Sequence, residues 1–243
     1  MHNNQFYSLL NIEAAVINIL MLKVELLSYH RDGYQIFSGV NFDIKTGTCM
    51  FVKGQNGSGK TTLLKILAGY LPIQQGNILI NGLKISNNYD FIAQHIDYIG
   101  HLNAVKKQMT AIDNLKFWNS INEYAHQINF NKNFDDKMNI NSFKDQLISL
   151  CSAGQIRCVA LSRLNISNKK VWLLDEPTTS LDERSINNFK KMIETHCLNG
   201  GIAIIATHDK LDIKRIKSQS IEIKKPTGQQ NSFLLDPFLI GNW

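Results

Sequence analysis

The sequence predicts an α/β protein in which helices cover a parallel β-sheet. Two short apolar runs, at residues 171–174 and Ile202–Ala206, show no alternation of polar and apolar residues. Such runs are typical of strands that are buried on both faces. The apolar residues that recur at helical spacing between them are Ile186, Phe189, Met192 and Ile193. These residues predict a helix with one buried face. A glycine-rich turn at residues 54–59 joins another predicted strand to another predicted helix.

The composition is that of a globular protein with one large domain or two small ones. The chain has 243 residues, of which 44% are hydrophobic and 19% charged, and this excludes a largely disordered protein. The net charge of +6 permits an anionic partner without naming one. No apolar run reaches the roughly 18 residues that a membrane span requires, so we expect no transmembrane segment. The four cysteines lack C-x-x-C spacing, which indicates reduced cytosolic thiols rather than disulfides or a zinc site.

The first half of the predicted domain consists mainly of strands. The first predicted strand begins at Met21, and residues 1–20 precede it as an N-terminal extension. Because the regular pattern begins only at Met21, we expect Met21 as an alternative start of the protein. The next predicted elements are strands over residues 34–44, 48–53 and 77–82 and a helix over 61–68. Gly69 and Pro72 end this helix. Asn81 and Gly82 form a dipeptide that is typical of a hairpin turn.

Helical spacing of apolar residues predominates from about residue 90 to 163 and predicts a helical subdomain there. Thr110 is the expected N-cap of one of its helices, with Asp113 three residues further on. We expect the principal domain to span residues 21–225 and a C-terminal tail to follow at 226–243. Residues 210–225 carry many lysines and arginines. They form either a solvated face or a contact with anionic lipid headgroups.

The glycine-rich turn fits the pattern G-x-x-x-x-G-K-[ST], which binds phosphates. The residues predicted to bind ATP are Gly54, Gln55, Asn56, Gly57, Ser58, Gly59, Lys60, Thr61 and Thr62. Glycines allow the backbone to curl so that several N–H groups face one anion, and the start of the following helix adds partial positive charge. The ammonium of Lys60 reaches the β- and γ-phosphates, and the hydroxyl of Thr61 is a ligand for Mg²⁺.

Two acidic residues follow the apolar strand at 171–174. This strand brings Asp175 to the carboxyl edge of the sheet, where open α/β sheets bind their ligands. Asp175 holds Mg²⁺ directly or through water. Glu176, the next residue, is placed to accept a proton from an attacking water molecule.

A third motif, at residues 152–155, has the spacing of a helix capping box. The side chains of Ser152 and Gln155 each satisfy a backbone N–H group at the start of the helix. The expected buried face of this helix is formed by Ile156, Val159, Ala160 and Leu164. With Gly154 in its first turn, the helix also presents N–H groups to an anion.

Together these motifs resemble those of ATP-binding cassette (ABC) ATPases. Their signature sequence, usually L-S-G-G-Q, is matched by Ser152, Ala153, Gly154 and Gln155. Asp182 falls in the segment that resembles the D-loop, and His208 resembles the switch histidine. The resemblance implies a P-loop NTPase cassette with a RecA-like parallel-sheet core, an antiparallel β subdomain and a helical subdomain at about 90–163.

The resemblance also implies a mechanism shared by two copies of the chain. A homodimer encloses two ATP molecules, each held by the phosphate loop of one copy and by the signature residues of the other, chiefly Ser152 and Gly154. Glu176 activates water as the catalytic base, His208 contacts the γ-phosphate as the second catalytic residue, and Asp182 couples the two sites. ATP and Mg²⁺ are the implied cofactors.

Finer details resemble one subfamily, the ATP-binding subunits of the bacterial haem exporters of cytochrome c maturation. His101 stands where most ABC ATPases have the glutamine of the Q-loop, and Ala153 stands where glycine is usual. In this subfamily an arginine at the position of Arg31 fits stacking on adenine. Tyr29 and Tyr34 are the rival candidates for this contact.

The resemblance implies a separate partner, an integral membrane permease of the type found in these haem exporters. The chain is expected to bind peripherally at the cytoplasmic face of the inner membrane and to power haem export, with no nucleic acid partner. Two alternatives stay open. In the first alternative, the chain serves an exporter whose cargo is a lipid, a lipoprotein or a drug. In the second, the chain is a soluble ABC ATPase that acts on nucleic acid or ribosomes.

Overall fold

The computed structural model of the chain describes residues 21–85, 88–121, 130, 134–167, 169–209 and 211–225. The predicted N-terminal extension and C-terminal tail lie outside the described residues. The strands, in chain order, are β1 (Met21–Arg31), β2 (Tyr34–Lys45), β3 (Thr48–Lys53), β4 (Gln75–Ile80), β5 (Leu83–Lys84), β6 (Ile96–Ile99), β7 (Val171–Asp175), β8 (Ile202–Ala206) and β9 (Lys217–Glu222). The α-helices are α1 (Lys60–Leu67), α2 (Tyr89–His95), α3 (Ala111–Ile121), α4 (Ala153–Ser162) and α5 (Glu183–Leu198). Short 3₁₀ helices lie at Ile140–Ser142, Ile148–Leu150 and Arg163–Asn165.

Four strands from the first half of the chain form an antiparallel sheet, in the order β2-β1-β4-β5. The hairpin predicted at Asn81 and Gly82 is confirmed, since Leu79 pairs with Lys84 across it. Asn81 and Gly82 have φ angles of 51° and 80°. Two positive φ angles give the turn a twist that matches the flanking strands, and asparagine followed by glycine tolerates them best.

A parallel sheet forms the centre of the fold, in the order β6-β7-β8-β3-β9. Every residue of β7 and β8 is buried, as the uninterrupted apolar runs predict. Alternate residues of β8 belong to separate cores: Ile202 and Ile204 pack into one cluster, and Ala203 and Ile205 into another. The predicted parallel sheet with both faces covered is therefore confirmed. Helix α1 packs against β7 and β8, and α5 buries Phe189, Met192 and Ile193.

The region from residue 90 to 163 differs from the prediction at its start. Residues Ile96–Ile99 form β6, which pairs with β7 at one edge of the parallel sheet. Ile96 and Ile99 are both buried and stand three residues apart, so the spacing of this short strand fits a helix equally well. After β6 the region contains α3, α4 and the 3₁₀ helices. Thr110 caps α3 as predicted: its Oγ1 accepts a hydrogen bond of 3.2 Å from the N–H of Asp113.

Within the described ranges, none of the helices has the length and apolar character that crossing a bilayer requires.

A histidine is packed at the amino-terminal edge of the parallel sheet. The ring of His196, on α5, stacks on Trp172 of β7 with 3.6 Å between ring centroids. Its Nε2 lies 3.2 Å from the carbonyl oxygens of Lys170 and Ile202. Because carbonyls only accept hydrogen bonds, Nε2 carries the proton in this arrangement. Burial lowers the pKa of His196 to about 4.

We expect this histidine to make stability depend on pH. Unfolded His196 takes up a proton as the pH falls through about 6.5, whereas the folded chain resists protonation down to about pH 4. The folded state should therefore lose about 3 kcal/mol of stability as the pH falls from 6.5 to 4, and none above that window. Urea unfolding at several pH values measures this loss in the parent and in His196→Gln. The substitution should flatten the slope, and the matched variant His30→Gln, at an exposed residue of β1, should not. Equal slopes in all three proteins would contradict this assignment.

Candidate active site

Three predicted motifs meet at the carboxyl edge of the parallel sheet because they follow adjacent strands. The phosphate loop follows β3, Asp175 ends β7, and His208 follows β8. In the sheet β8 lies between β3 and β7. The three segments therefore become neighbours, although 148 positions separate Lys60 from His208 in the sequence.

The phosphate loop requires glycine at two positions for steric reasons. Gly54 has a φ angle of 147°, and a Cβ there would lie 2.5 Å from the carbonyl oxygen of Ile223. Gly59 has a φ angle of 101°, and a Cβ there would lie 2.7 Å from Cγ2 of Ile36. The loop is closed by a hydrogen bond of 3.1 Å from the N–H of Ser58 to the carbonyl of Gln55. Helix α1 then starts at Lys60, so its free N–H groups face the inside of the loop.

Ser58 supports the assignment of this loop to an anionic ligand. Its side chain is 1% exposed, and its Oγ has no hydrogen-bond partner among the residues that the structure describes. A buried hydroxyl without a partner is uncommon in folded proteins because it loses its hydration without compensation. Phosphate oxygens would supply the missing acceptor. The loop, the helix start and this hydroxyl therefore fit a phosphate group.

The ammonium of Lys60 contacts both the phosphate loop and His208. It donates hydrogen bonds of 2.9 Å to the carbonyl of Gly54 and 3.3 Å to that of Gln55, and it lies 3.0 Å from Nε2 of His208. Burial lowers the pKa of Lys60, while the negative charges of Glu176 and Asp175 oppose this shift. Because an ammonium can only donate, Nε2 of His208 is the acceptor and the ring proton lies on Nδ1.

Thr61 and Asp175, the two residues predicted to hold Mg²⁺, are in direct contact. The hydroxyl of Thr61 donates a hydrogen bond of 2.8 Å to Oδ2 of Asp175, so the two oxygen donors are already adjacent. Burial raises the pKa of Asp175, which is 3% exposed, and the hydrogen bond from Thr61 acts in the opposite direction. Hydroxyl and carboxylate oxygens are suitable ligands for Mg²⁺. These residues therefore fit the ion.

Glu176 has an unusual backbone conformation. Its φ angle is 45°, in the left-handed region that only glycine adopts without cost. Its N–H donates a hydrogen bond of 2.8 Å to the carbonyl of Ala206 on β8. Its carboxylate accepts a bond of 3.4 Å from the N–H of His208 and lies 3.6 Å from the Nε2 of that ring. The structure thus brings the two predicted catalytic residues together beside Lys60.

The capping box at the start of α4 is confirmed. Oγ of Ser152 accepts a hydrogen bond of 3.2 Å from the N–H of Gln155, and the N–H of Ser152 donates one of 2.8 Å to Oε1 of Gln155. A Cβ at Gly154 would lie 2.7 Å from the carbonyl oxygen of Ser180. This residue must therefore stay small for packing within one chain. Among the contacts of the described residues, none joins this cap to Lys60 or to the carboxylate of Glu176.

Asp182 also serves as a helix cap in this chain. It is the N-cap of α5, and its Oδ1 accepts a hydrogen bond of 2.7 Å from the N–H of Ser185. Bonds from the hydroxyl and the N–H of Ser185 lower the pKa of Asp182. The role predicted for Asp182 between two copies of the chain stays a prediction.

The three candidates for stacking on adenine differ in exposure. Tyr29 is 7% exposed, and its ring packs against that of Phe37. The core therefore already covers the faces of this ring. Arg31 lies at the end of β1 beside Asp32, and Tyr34 is 44% exposed at the start of β2.

His101, the predicted equivalent of the Q-loop glutamine, is exposed in the loop after β6. The electrostatic effect of His101 lowers the pKa of Asp175, against the larger effect of burial. His101 therefore lies within electrostatic reach of the site.

Two basic residues that the sequence did not predict for the site also lie at it. A Cβ at Gly57 would lie 3.8 Å from Nζ of Lys225, so the chain after β9 places an ammonium beside the phosphate loop. Arg157, on α4, is 3% exposed, whereas Ile156, predicted for the buried face, is only partly buried. The spacing of apolar residues along α4 could not predict a buried arginine, because the hydrogen-bond acceptors of Arg157 come from segments far away in the sequence.

Comparison with known proteins gives the same family at the levels of sequence and fold. Residues 37–179, more than half of the chain, match the ABC transporter family. A cytochrome c biogenesis ATP-binding export protein CcmA from Albidiferax ferrireducens is 34% identical over 203 residues, which cover 84% of this chain and 97% of that protein. The protein of the same name from Reclinomonas americana is 35% identical, with 80% and 90% covered. The one from Vibrio cholerae is 32% identical, with 85% and 100% covered.

Two solved structures are similar to the chain over most of its length. A putative ABC transporter ATP-binding protein from Pyrococcus furiosus has a TM-score of 0.70 and 25% identity, with 84% of this chain and 97% of that chain covered. An ATP-binding subunit of an ABC transporter has a TM-score of 0.74 at 17% identity, with 84% and 88% covered. The second likeness is one of fold alone.

Proposed function

The chain belongs to the ABC transporter family, and from this premise we propose that it is the ATP-hydrolysing subunit of an exporter that serves cytochrome c biogenesis. The observation that carries the proposal is the convergence of Lys60, Glu176 and His208, with Nζ of Lys60 3.0 Å from Nε2 of His208. An ammonium, a carboxylate and an imidazole thus lie together at one glycine-rich loop, and this supports ATP hydrolysis as the function.

Each side chain has a defined task when ATP binds. Lys60 exchanges its carbonyl partners for phosphate oxygens, which bind an ammonium more strongly than neutral acceptors do. Glu176 accepts the proton of the attacking water. His208 exchanges its contact with Lys60 for one with the γ-phosphate. Thr61 and Asp175 would hold Mg²⁺, which neutralises charge on the phosphates when it is bound.

We further propose that two copies of the chain complete each site. The support is that Ser152 and Gly154 start a helix whose cap makes no described contact with the phosphate loop of its own chain. A helix start offers N–H groups to an anion, so a second copy would complete the site from the opposite side. The carbonyl oxygen of Ser180 lies against Gly154 at this helix start. Asp182, two residues further along the chain, would then lie between the two sites.

The proposed cargo and membrane partner rest on the relatives. The relatives in Albidiferax, Reclinomonas and Vibrio are named ATP-binding export proteins of cytochrome c biogenesis. We propose that the chain likewise drives a separate integral membrane permease, that it binds at the cytoplasmic face of the inner membrane, and that the cargo is haem. His101 and Ala153, which depart from the usual ABC motifs, agree with this subfamily.

Deletion of the gene in its own host tests the cargo. We expect the loss of covalently bound haem from all c-type cytochromes, measured by haem staining of membrane proteins after denaturing electrophoresis. The parent gene should restore it, and the Glu176→Gln gene should not. Co-purification with a permease from detergent-solubilised membranes is expected alongside. Normal c-type cytochromes would exclude haem export. A chain that stays in the soluble fraction and retains RNA would favour an ABC ATPase that acts on nucleic acid.

A further inference from the structure

A buried arginine connects three parts of the site. The guanidinium of Arg157, on α4, uses all five of its N–H donors. Nε donates to the carbonyl of Pro177 at 3.0 Å, and Nη2 donates to those of Asp175 and Glu176 at 3.0 Å each. Nη1 donates at 2.9 Å to the carbonyl of Gly100 and at 2.9 Å to Oδ1 of Asn103.

The acceptors of these bonds belong to the segments that carry the chemistry. Three of them are consecutive carbonyls at the end of β7, where Glu176 has its left-handed backbone conformation. Such a conformation is strained in a residue other than glycine, and it persists only where surrounding contacts hold it. The other two acceptors flank His101 in the loop after β6. One side chain on α4 therefore holds both segments.

We infer that Arg157 is a positioning residue for ATP hydrolysis: it holds the backbone at Glu176 so that the carboxylate faces His208, and it makes this geometry depend on the position of α4. This inference rests on the proposed ATPase function. The helix α4 begins at the capping box of Ser152 and Gln155. If contact with a second copy of the chain shifts this helix start, the side chain of Arg157 would transmit the movement to the backbone at Glu176.

The chemistry of the guanidinium explains why arginine occupies this position. Burial lowers the pKa of Arg157 to about 10, while the negative charges of Asp175 and Glu176 oppose the shift, so the group stays charged at neutral pH. Its planar fork reaches acceptors in several directions, whereas the ammonium of lysine has three donors on one atom. Lysine at this position would keep the charge and leave carbonyls at the end of β7 without partners.

Arg157→Lys in the full-length chain tests the inference, with Arg163→Lys as the matched control. Arg163 is a partly buried arginine, and its guanidinium packs over the ring of Trp118, 3.7 Å from the centroid. Among the contacts of the described residues, it donates to none of the carbonyls at the end of β7. We expect Arg157→Lys to lower kcat about 10- to 100-fold, as displacement of a catalytic group by about 1 Å does. KM and the calorimetric Kd for ATP should stay within about threefold, because the phosphate loop is untouched. Arg163→Lys should keep kcat within about threefold.

A second variant keeps the test decisive if Arg157→Lys does not fold. Asn103→Ala removes one acceptor of the guanidinium and should lower kcat about threefold without a change in ATP affinity. A parent chain that does not hydrolyse ATP would refute the proposed function itself. With an active parent, the inference is overturned if Arg157→Lys keeps the parent kcat, if it loses ATP affinity in proportion to kcat, or if Arg163→Lys lowers kcat equally. Unchanged kcat in Asn103→Ala would also count against it.

Discussion

Glu176→Gln is expected to abolish ATP turnover while leaving ATP binding intact. The amide keeps the shape of the side chain and can still accept the hydrogen bond from the N–H of His208, but it cannot take a proton from water. A missing general base lowers kcat about 10²- to 10⁴-fold. Steady-state phosphate release measures the loss. Because bound ATP then persists between two copies of the chain, a stable dimer should form with Mg²⁺ and ATP, and light scattering after gel filtration measures it.

The matched control for this variant is Glu183→Gln. Glu183 is an exposed acid in the first turn of α5, so its substitution makes the same change of charge away from the phosphate loop. It should hydrolyse ATP at nearly the parent rate and remain monomeric after turnover. Hydrolysis at the parent rate by Glu176→Gln would show that another group is the base. An inactive Glu176→Gln chain that stays monomeric with ATP would contradict the proposed homodimer.

Lys60→Ala is expected to weaken ATP binding itself by about 10- to 100-fold. Hydrogen bonds to a charged group contribute about 1.5–3 kcal/mol each, and the bound phosphates would lose a buried cation. Lys60 is 7% exposed, so water can replace the ammonium only poorly. Isothermal titration calorimetry with ATP measures the change. The loss should be greater for ATP than for AMP, because Lys60 is expected to contact the terminal phosphates.

Lys225→Ala separates this role from a general effect of positive charge. Lys225 is exposed and reaches the outside of the loop near Gly57, so solvent screens its charge. Its loss should weaken ATP binding by about threefold at most, and this effect should vanish at high salt. ATP affinity unchanged in Lys60→Ala, or reduced equally in both variants, would contradict the role assigned to Lys60.

The sequence was sufficient for the fold class and for the family. Uninterrupted apolar runs predicted strands buried on both faces, and β7 and β8 are buried at every residue. The strand predicted over Thr48–Lys53 has the same bounds as β3. The capping box of Ser152 and Gln155 was also predicted correctly. These features depend on periodicity or on contacts within four residues, and both can be read directly along the chain.

Other features could not be read from the sequence. The spacing of Ile96 and Ile99 suits a helix, yet their segment becomes an edge strand because β7 offers free hydrogen-bonding groups beside it. Tyr29 was a candidate for adenine stacking, but packing against Phe37 buries its ring. Neither outcome depends on neighbouring residues in the chain. Both depend on which surface the folded chain places beside them.

The sequence by itself determined which groups the proposed chemistry uses: a glycine-rich loop with a lysine, the hydroxyl of Thr61, the carboxylates of Asp175 and Glu176, and the imidazole of His208. Only the tertiary structure decided how these groups meet. The order β7-β8-β3 sets Lys60 beside His208 and Glu176, and the five hydrogen bonds of Arg157 connect α4 to the end of β7 and to the loop after β6. The physical reason is that strand order and buried polar contacts join residues far apart in the chain, and no local pattern of residues records such pairs.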